Sequence, residues 1–292
     1  MISRGCTERV AFQGERGAFS EEAAIRLLGD QISLVPRPTF EALFSTISEG
    51  AADAILAPIE NSLAGSVHRC FDLLLESSLV ITGEVIHPIA HNLIGIRGSV
   101  LENIESVESH PVALAQCENF FRAHPEIKRM AAEDTAGSVR AVVEQGDPRR
   151  AAIAARRAAE IYGGQILQEH IEDHRENYTR FLLLKPATST STAGDKLSLV
   201  VQLAHRPGSL HCALGIFSGR GINLTKIESR PIPGSPWKYR FYLDLQASLA
   251  DSGTKQALEE LESCTETVRV LGCYPAYAGA PPDNPSTEGD NA

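Results

Sequence analysis

Cysteine, basic charge and long apolar runs are scarce in this chain, and each shortage excludes something. The six cysteines (Cys6, Cys70, Cys117, Cys212, Cys264, Cys273) are widely scattered, with no C-x-x-C pair. A disulfide framework and a zinc site therefore have no support, and reduced, buried thiols are expected. Basic residues number 27 against 37 acidic ones, a net charge of -10, and no Lys/Arg run interrupts that balance. Nucleic acid and anionic membrane are poor main partners for such a surface, which leaves small-molecule chemistry. No segment is long enough to span a membrane, and the residues before Val10-Ala11-Phe12 are too few for a signal peptide, so a cytoplasmic protein is expected. Neither G-x-G-x-x-G nor G-K-[ST] occurs and no metal-ligand spacing is evident. No metal and no organic cofactor are expected.

What is present reads as an α/β protein. At 292 residues, 43% apolar and 22% charged, the chain is long enough for two domains with a substantial core in each. Val10-Ala11-Phe12-Gln13 is a short strand, and Gly14-Glu15-Arg16-Gly17 turns it into a helix that Ser20 and two acids suit as a start and Gly29 as an end. Strand, glycine turn and helix present backbone N–H groups to an anion such as a carboxylate; a plain tight turn fits the residues equally. A helix capped by Thr39 leads to the strand Ala54–Ile59 and the cluster Glu60-Asn61-Ser62, an acid, an amide and a hydroxyl at a strand end. Asn61 and Ser62 also suit as caps of the helix through Phe71–Leu75, although capping leaves Glu60 without a role. Strands over 79–86 and 90–96 lead to a second lobe. There Val107–His110 and Met130–Thr135 repeat the order strand, polar cluster, helix, and one helix carries Ala115, Gln116, Cys117, Phe120 and Phe121. A strand at 151–154 and a helix from Arg156 to Tyr162 follow. Such alternation implies parallel sheets, and polar clusters at facing strand ends imply a cleft between two lobes.

The stretch that closes these lobes is Glu176-Asn177-Tyr178-Thr179-Arg180-Phe181-Leu182-Leu183-Leu184, a polar cluster running into a buried strand that stops at Pro186. Strand alternation puts Thr179 and Phe181 on one face and Arg180 on the other, so Arg180 either touches a ligand or braces the fold by an ion pair. Residues 186–195 are a linker by composition. Beyond them, strands at 196–203, 224–229, 238–245 and 267–271 and helices at 210–218 and 255–262 follow the order βαββαβ, a ferredoxin-like plait, with 231–236 as a loop. The tail 276–292, rich in Gly, Pro, Asp and Asn, is expected to be disordered.

Several motifs carry a family resemblance over about residues 9–275. Asn177-Tyr178-Thr179-Arg180-Phe181 resembles the N-x-T-R-F signature of prephenate dehydratases, and Pro58-Ile59-Glu60-Asn61-Ser62 with Gly65-Ser66 resembles their P-I-E-N-S-x-x-G-S segment. Ser109-His110-Pro111 and Gln116-Cys117 match further elements, and the plait is similar to an ACT domain through Gly208-Ser209-Leu210-His211 and Glu228-Ser229-Arg230-Pro231. The G-x-R-G-A-F-S-E opening and Asp134-Thr135-Ala136-Gly137 also resemble plant-type arogenate dehydratases. The resemblance implies a two-lobed catalytic unit like type II periplasmic binding proteins over 8–185, a linker over 186–195 and an ACT regulatory domain over 196–275. The reaction implied is conversion of prephenate, or arogenate, with loss of CO2 and of the ring hydroxyl.

Hydroxide leaves poorly, so a proton or strong hydrogen bonds must reach that oxygen. A cation on the ring carboxylate would stabilise the ground state more than the departing CO2. On this reading Thr179 is the partner of the hydroxyl, Glu60 the ultimate proton source, and Asn61, Ser109 and Gln116 hold the substrate, with Ser20, Ser62, Thr135, Arg180 and Phe181 as further binding residues. The same resemblance implies a homodimer or homotetramer and L-phenylalanine as effector at Gly208, Ser209, Leu210, Asn223, Leu224, Glu228, Ser229 and Arg230. The rival of another class is a non-catalytic amino-acid sensor. Such a sensor needs charged anchors for amine and carboxylate, whereas Thr179 with Glu60-Asn61-Ser62 is mainly a hydroxyl-and-amide set.

Overall fold

The computed structural model describes residues 7–189 and 191–279. These form two compact units, one holding the described residues up to Ser77 and Val85–Leu182, the other Ser78–Glu84 and Leu183–Ala278. The first unit opens with β1 (Glu8–Gln13), α1 (Phe19–Leu28), β2 (Ile32–Arg37), α2 (Phe40–Ser45), β3 (Ala54–Asn61), β4 (Gly65–Ser66), α3 (His68–Glu76) and β5 (Leu79–Pro88). A second lobe follows with β6 (Asn92–Gly95), β7 (Ser106–Ser109), α4 (Pro111–Ala115), α5 (Glu118–Ala123), β8 (Lys128–Ala131), α6 (Thr135–Gln145), β9 (Arg150–Ala154), α7 (Arg156–Tyr162) and β10 (Gln165–Gln168). The chain then returns through β11 (Tyr178–Pro186), so β5 and β11 each run from one unit into the other.

The first sheet has the order β2-β1-β3-β11-β5, with β4 folded back on β3. Its centre is apolar on both faces, as strands flanked by parallel neighbours require: Val10, Ala11, Phe12, Ile55 and Leu56 are fully buried. The second sheet, β10-β6-β9-β7-β8, corrects the expectation of parallel pairing, since β6 runs antiparallel to both β9 and β10. The cause is topological. β6 arrives directly from the first sheet without a crossover helix and inserts between β9 and β10, which α7 connects in the same direction.

Two local expectations also change. Ser20 is not a cap: α1 begins at Phe19 after Ala18, and Ser20 is buried in the first turn. The single helix drawn through Ala115 and Phe121 is broken at Gln116-Cys117 into α4 and α5. Asp173 holds the break, accepting from the N–H groups of Glu118 (2.9 Å) and Asn119 (2.8 Å) while its own N–H donates to the Gln116 carbonyl (2.8 Å). One carboxylate thus satisfies orphan donors of α5 and lets the chain turn where Gln116 must point inward.

The second unit contains β12 (Lys196–Gln202), α8 (Ser209–Ser218), β13 (Leu224–Ile232), β14 (Ser235–Leu245), α9 (Ser252–Cys264) and β15 (Thr267–Tyr274) in the order βαββαβ. Its sheet, β13-β14-β12-β15, packs Leu197, Leu199, Val201, Leu243 and Leu245 against Ala213, Phe217, Ala257 and Leu261 of the helices. The expected loop at 231–236 is a tight turn at Pro233-Gly234, where Gly234 takes φ +74°, so β13 and β14 are longer than the apolar pattern indicates. Within this unit Lys196 Nζ lies 2.9 Å from both carboxylate oxygens of the buried Glu84. Of the linker residues, Gly194 lies so close to the Tyr274 backbone that a Cβ there would fall 2.2 Å from its nitrogen.

The expectation of buried thiols holds for Cys70, Cys117 and Cys273 but not for Cys212, which is exposed, or Cys264, which is half-buried; Cys6 lies outside the described residues. Burial pushes the Cys70 thiol up to about 12 and raises Cys117 as well, so neither is poised as a thiolate. Of the tail, 280–292 lies outside the described residues. At its start Ala276 N–H donates to Asp195 (2.6 Å) and Tyr277 N–H to Glu84 (3.0 Å). Among the described residues no helix is long and apolar enough to cross a membrane.

Candidate active site

A cavity of about 480 Å³ lies in the first unit, lined by residues of both lobes. Strand ends and helix starts supply its wall. β1 and its turn contribute Gln13 and Gly14, α1 contributes Ala18, Phe19 and Ser20, and β11 contributes Thr179 and Phe181. From the second lobe come His110, Val112 and Ala113 at the start of α4, Gln116 at the break, and Glu133, Asp134 and Thr135 at the start of α6. Gly14 and Gly17 take φ of +110° and +86°, and a Cβ on Gly17 would come within 2.7 Å of the Ala158 backbone, so the turn before α1 requires glycine.

The polarity of the site can be read outward from two backbone groups. The N–H groups of Leu63 (3.0 Å) and Ala64 (2.8 Å) donate to Asn61 Oδ1, which turns Asn61 Nδ2 the other way. Nδ2 then faces Asn177 Oδ1 (2.7 Å), the Tyr178 carbonyl (3.1 Å) and Thr179 Oγ1 (3.0 Å). An amide nitrogen cannot accept, so the Thr179 oxygen receives this hydrogen bond and its own O–H is left to donate elsewhere. Asn177, fully buried, passes the polarity on: with Oδ1 accepting, its Nδ2 donates to Gln116 Oε1 (3.0 Å). His91 Nε2 meets that same Gln116 oxygen at 2.9 Å.

The electrostatics are those of a largely uncharged pocket with carboxylates at one side. Among the described residues no lysine or arginine lines the cavity. Burial lowers the pKa of His91 against the opposing pull of Gln116 and Glu172, which keeps the ring neutral. The positive ends of α1 and α6 fall at the wall. α1 has no side-chain cap, whereas Asp134 caps α6 through the Gly137 N–H at 2.6 Å. Among the described residues no group of three or more His, Cys, Asp or Glu is placed to hold a metal.

Of the residues singled out in the sequence, Ser20, Asn61, Gln116, Thr135, Thr179 and Phe181 line this cavity together; Glu60, Ser62, Ser109 and Arg180 do not. Arg180 Nη1 pairs with Glu60 Oε1 at 3.1 Å on the opposite side of β11 from Thr179 and Phe181, as strand alternation requires. Glu60 is therefore an ion-pair partner here and not an acid facing the cavity. The Ser109 hydroxyl, fully buried, donates to the Ile153 carbonyl at 2.7 Å and ties β7 to β9. Ser62 joins the end of β3 to the loop before β11, its hydroxyl 3.1 Å from the Glu176 carbonyl and 2.9 Å from the Tyr178 N–H. The cap reading of Asn61 and Ser62 falls as well, because α3 starts at His68 after Val67 with no side-chain cap.

Reasoning from sequence gave no role to His91, His110, Phe19 and Glu133 at the cavity, or to Asn177 behind it. All but His91 stood in stretches singled out there: Phe19 in the G-x-R-G-A-F-S-E opening, His110 in Ser109-His110-Pro111, Glu133 in the cluster Met130–Thr135, and Asn177 next to Tyr178-Thr179. In the second unit, Gly208 caps α8 with φ +83° and open space where a Cβ would stand, so its backbone angle demands glycine, not a close approach within the chain. Ser209 is buried at the helix start, Asn223 donates to Gln246 (2.9 Å), and Glu228 and Arg230 share one face of β13 with Ser229 on the other, while a register shift between Leu224 and Lys226 sets Leu224 opposite Leu245, against the core.

A family model described as prephenate dehydratase matches residues 10–189, and one described as ACT domain matches residues 197–263. Among curated relatives, an arogenate dehydratase/prephenate dehydratase of Arabidopsis thaliana is 41% identical, covering 94% of this chain and 74% of the relative. A bifunctional chorismate mutase/prephenate dehydratase of Neisseria gonorrhoeae is 38% identical, covering 91% and 74%. Among solved structures, a prephenate dehydratase from Arthrobacter aurescens in complex with L-Phe superposes with TM-score 0.83 at 32% identity, covering 91% of this chain and 90% of that one. A protein described as a quorum-quenching acylase superposes with TM-score 0.84 at 33% identity, covering 92% and 98%.

Proposed function

Because the chain belongs to the prephenate dehydratase family, we propose that it is the lyase that converts prephenate to phenylpyruvate and that its cavity performs this chemistry as follows. The bond to the ring carboxylate breaks, its electron pair enters the ring, and the bond to the ring hydroxyl breaks as the ring becomes aromatic. The products are CO2, phenylpyruvate and water, with one proton taken up. The O–H of Thr179, turned away from Asn61, donates to the departing oxygen and stabilises the charge that grows on it. That orientation is the observation that carries the reading. The wall without lysine or arginine leaves the ring carboxylate unneutralised, which favours its departure as neutral CO2. The uncapped start of α1 with Ser20, and the Gln116 amide, suit the side-chain carboxylate.

Acyl transfer of the kind named for one structural neighbour would need a base beside a hydroxyl nucleophile. His110 spends its Nδ1 lone pair on the Val112 N–H (3.2 Å), and the Nδ1 lone pair of His91 is buried with no hydroxyl among the described residues in hydrogen-bond reach. The test is absorbance of phenylpyruvate in base after incubation with prephenate. Absence of that signal at micromolar enzyme would end the reading. A specific observation favours a second substrate: Glu133 and Asp134 at the wall suit the ammonium group of arogenate, which prephenate lacks. Parallel kcat/KM values on the two substrates decide between them.

Regulation follows from the second unit. L-Phenylalanine is taken as a feedback inhibitor bound around Gly208–Leu210, Asn223-Leu224 and Glu228–Arg230. The ligand in the Arthrobacter aurescens structure and the ACT match support this. β13 is an edge strand of its sheet, which supports pairing with a second copy in a homodimer or homotetramer. A cytoplasmic location is proposed with this reading. Calorimetric titration with L-phenylalanine tests the effector, and light scattering tests the oligomer.

A further inference from the structure

We propose that His91 is a positioning residue of this site: its neutral imidazole, protonated at Nε2, holds the Gln116 carbonyl so that the Gln116 amide N–H groups face the substrate. The inference rests on the dehydratase reading for its kinetic consequences only. His91 stands in the short crossing between β5 and β6 and is fixed at its backbone on both sides. Its N–H donates to Glu172 Oε2 at 2.8 Å and its carbonyl accepts from the Ile171 N–H at 2.9 Å.

Its neighbours fix which nitrogen carries the proton. Two backbone N–H groups fix Asn61, Asn61 fixes Asn177, and Asn177 donates to Gln116 Oε1 at 3.0 Å, so the atom facing His91 at 2.9 Å is an oxygen. An amide oxygen carries no proton, hence Nε2 must. Nδ1 is then a bare lone pair, and it is buried without a partner among the described residues, in a ring set edge-on to Phe19 at 5.6 Å. A second proton there would have nothing to receive it, in keeping with the lowered pKa of the ring. With its oxygen shared by His91 and Asn177, Gln116 has one orientation available, which leaves its amide nitrogen as the group it can offer to the cavity that it lines. Thr179 and Gln116 are thus set as donors from the two ends of one chain of side-chain amides, and His91 is its terminus.

Nitrogen-15 spectra of the histidine rings of the intact protein, recorded without substrate, test the contact itself. A neutral Nε2–H tautomer for His91 is expected; an Nδ1–H tautomer or an imidazolium at neutral pH would overturn the proposal. Kinetics test the consequence. H91F should raise KM by about tenfold with less effect on kcat, the size of one lost oriented hydrogen bond. H91Q, which returns an N–H near the Nε2 position, should recover most of it. Because His91 acts through Gln116, H91F added to Q116M should do no further harm. Independent, multiplying losses in the double variant, or equal losses in H91F and H91Q, would refute the role. A wild type that makes no phenylpyruvate would sink the dehydratase reading alone, since the tautomer is measured without turnover.

Discussion

Asn61→Asp is the sharpest test of how Thr179 is oriented, because it changes polarity at almost constant shape. One carboxylate oxygen keeps the Leu63 and Ala64 N–H groups at 3.0 and 2.8 Å. The other replaces Nδ2 and faces three oxygens: Asn177 Oδ1 at 2.7 Å, the Tyr178 carbonyl at 3.1 Å and Thr179 Oγ1 at 3.0 Å. The carbonyl has no proton to offer, and Asn177 can offer one only by turning away from Gln116. Thr179 is the group that can respond at once, so its hydroxyl turns toward the new carboxylate and away from the substrate. Loss of one donor to a charge that develops in the transition state lowers kcat by roughly 10²–10³. The same loss is expected from Thr179→Ala, with Thr179→Ser recovering most of it. The double variant should fall no further than either single one. Acid should restore Asn61→Asp in part, since the introduced carboxyl, once protonated, again donates to Thr179; kcat of this variant therefore rises as pH falls while that of Thr179→Ala does not. Steady-state kcat for the four variants across pH is the assay. A near wild-type Asn61→Asp, or losses that multiply in the double variant, would refute the reasoning.

Four further outcomes are expected. Glu21 is fully buried, 2.8 Å from Arg16 Nε, 2.9 Å from Arg157 Nε and 2.8 Å from the Gly17 N–H. Burial opposes its ionisation, but these donors outweigh it and hold its pKa below the ordinary carboxyl range. Because the folded value is depressed, its contribution is complete above the unfolded value near about 4.3 and fades as pH falls through the folded one. Glu21→Gln should therefore cost about 1–3 kcal/mol in denaturant unfolding at neutral pH, discounted for the partly exposed arginines, and the gap to wild type should close in acid. Glu84→Ala strands the Lys196 ammonium in a nearly dry site and should cost about 3–5 kcal/mol, while Glu84→Ala with Lys196→Met should be markedly less costly. For the same reason, and because Ser78–Glu84 packs within the second unit, a chain cut before Lys196 should melt well below the full one instead of serving as a clean catalytic fragment. Gly208→Val forces a β-branched residue into φ +83° and should abolish calorimetric binding of L-phenylalanine, with Gly208→Ala intermediate; unchanged binding would remove Gly208 from the effector site.

Period and punctuation made much of the fold readable. Continuous apolar runs marked β3 and β11 as buried central strands, the glycines at 29 and 163 ended helices with positive φ, and the βαββαβ order emerged from alternation alone. Thr179 and Phe181 were separable from Arg180 by the two-residue repeat, and the cavity lining follows that division. The antiparallel insertion of β6 was not readable, because pairing direction depends on the path between sheets and not on the strand itself. Nor was the break between α4 and α5: its cause, Asp173, lies 55 positions beyond Glu118, whose N–H it accepts from.

The candidate site divides the same way. Residue type and short-range spacing already contained the family motifs, the face on which Thr179 stands, and the need for glycine before α1. Which of the polar residues are spent on the protein itself was set by contacts across the fold. Ser109 gives its hydroxyl to Ile153 and Glu60 its charge to Arg180, whereas His91, unremarkable in sequence, closes a chain of amides that begins at Asn61. A hydrogen bond is used by whichever partner comes within about 3 Å. That distance is a property of packing between residues 25 to 120 positions apart, not of either neighbourhood in the sequence.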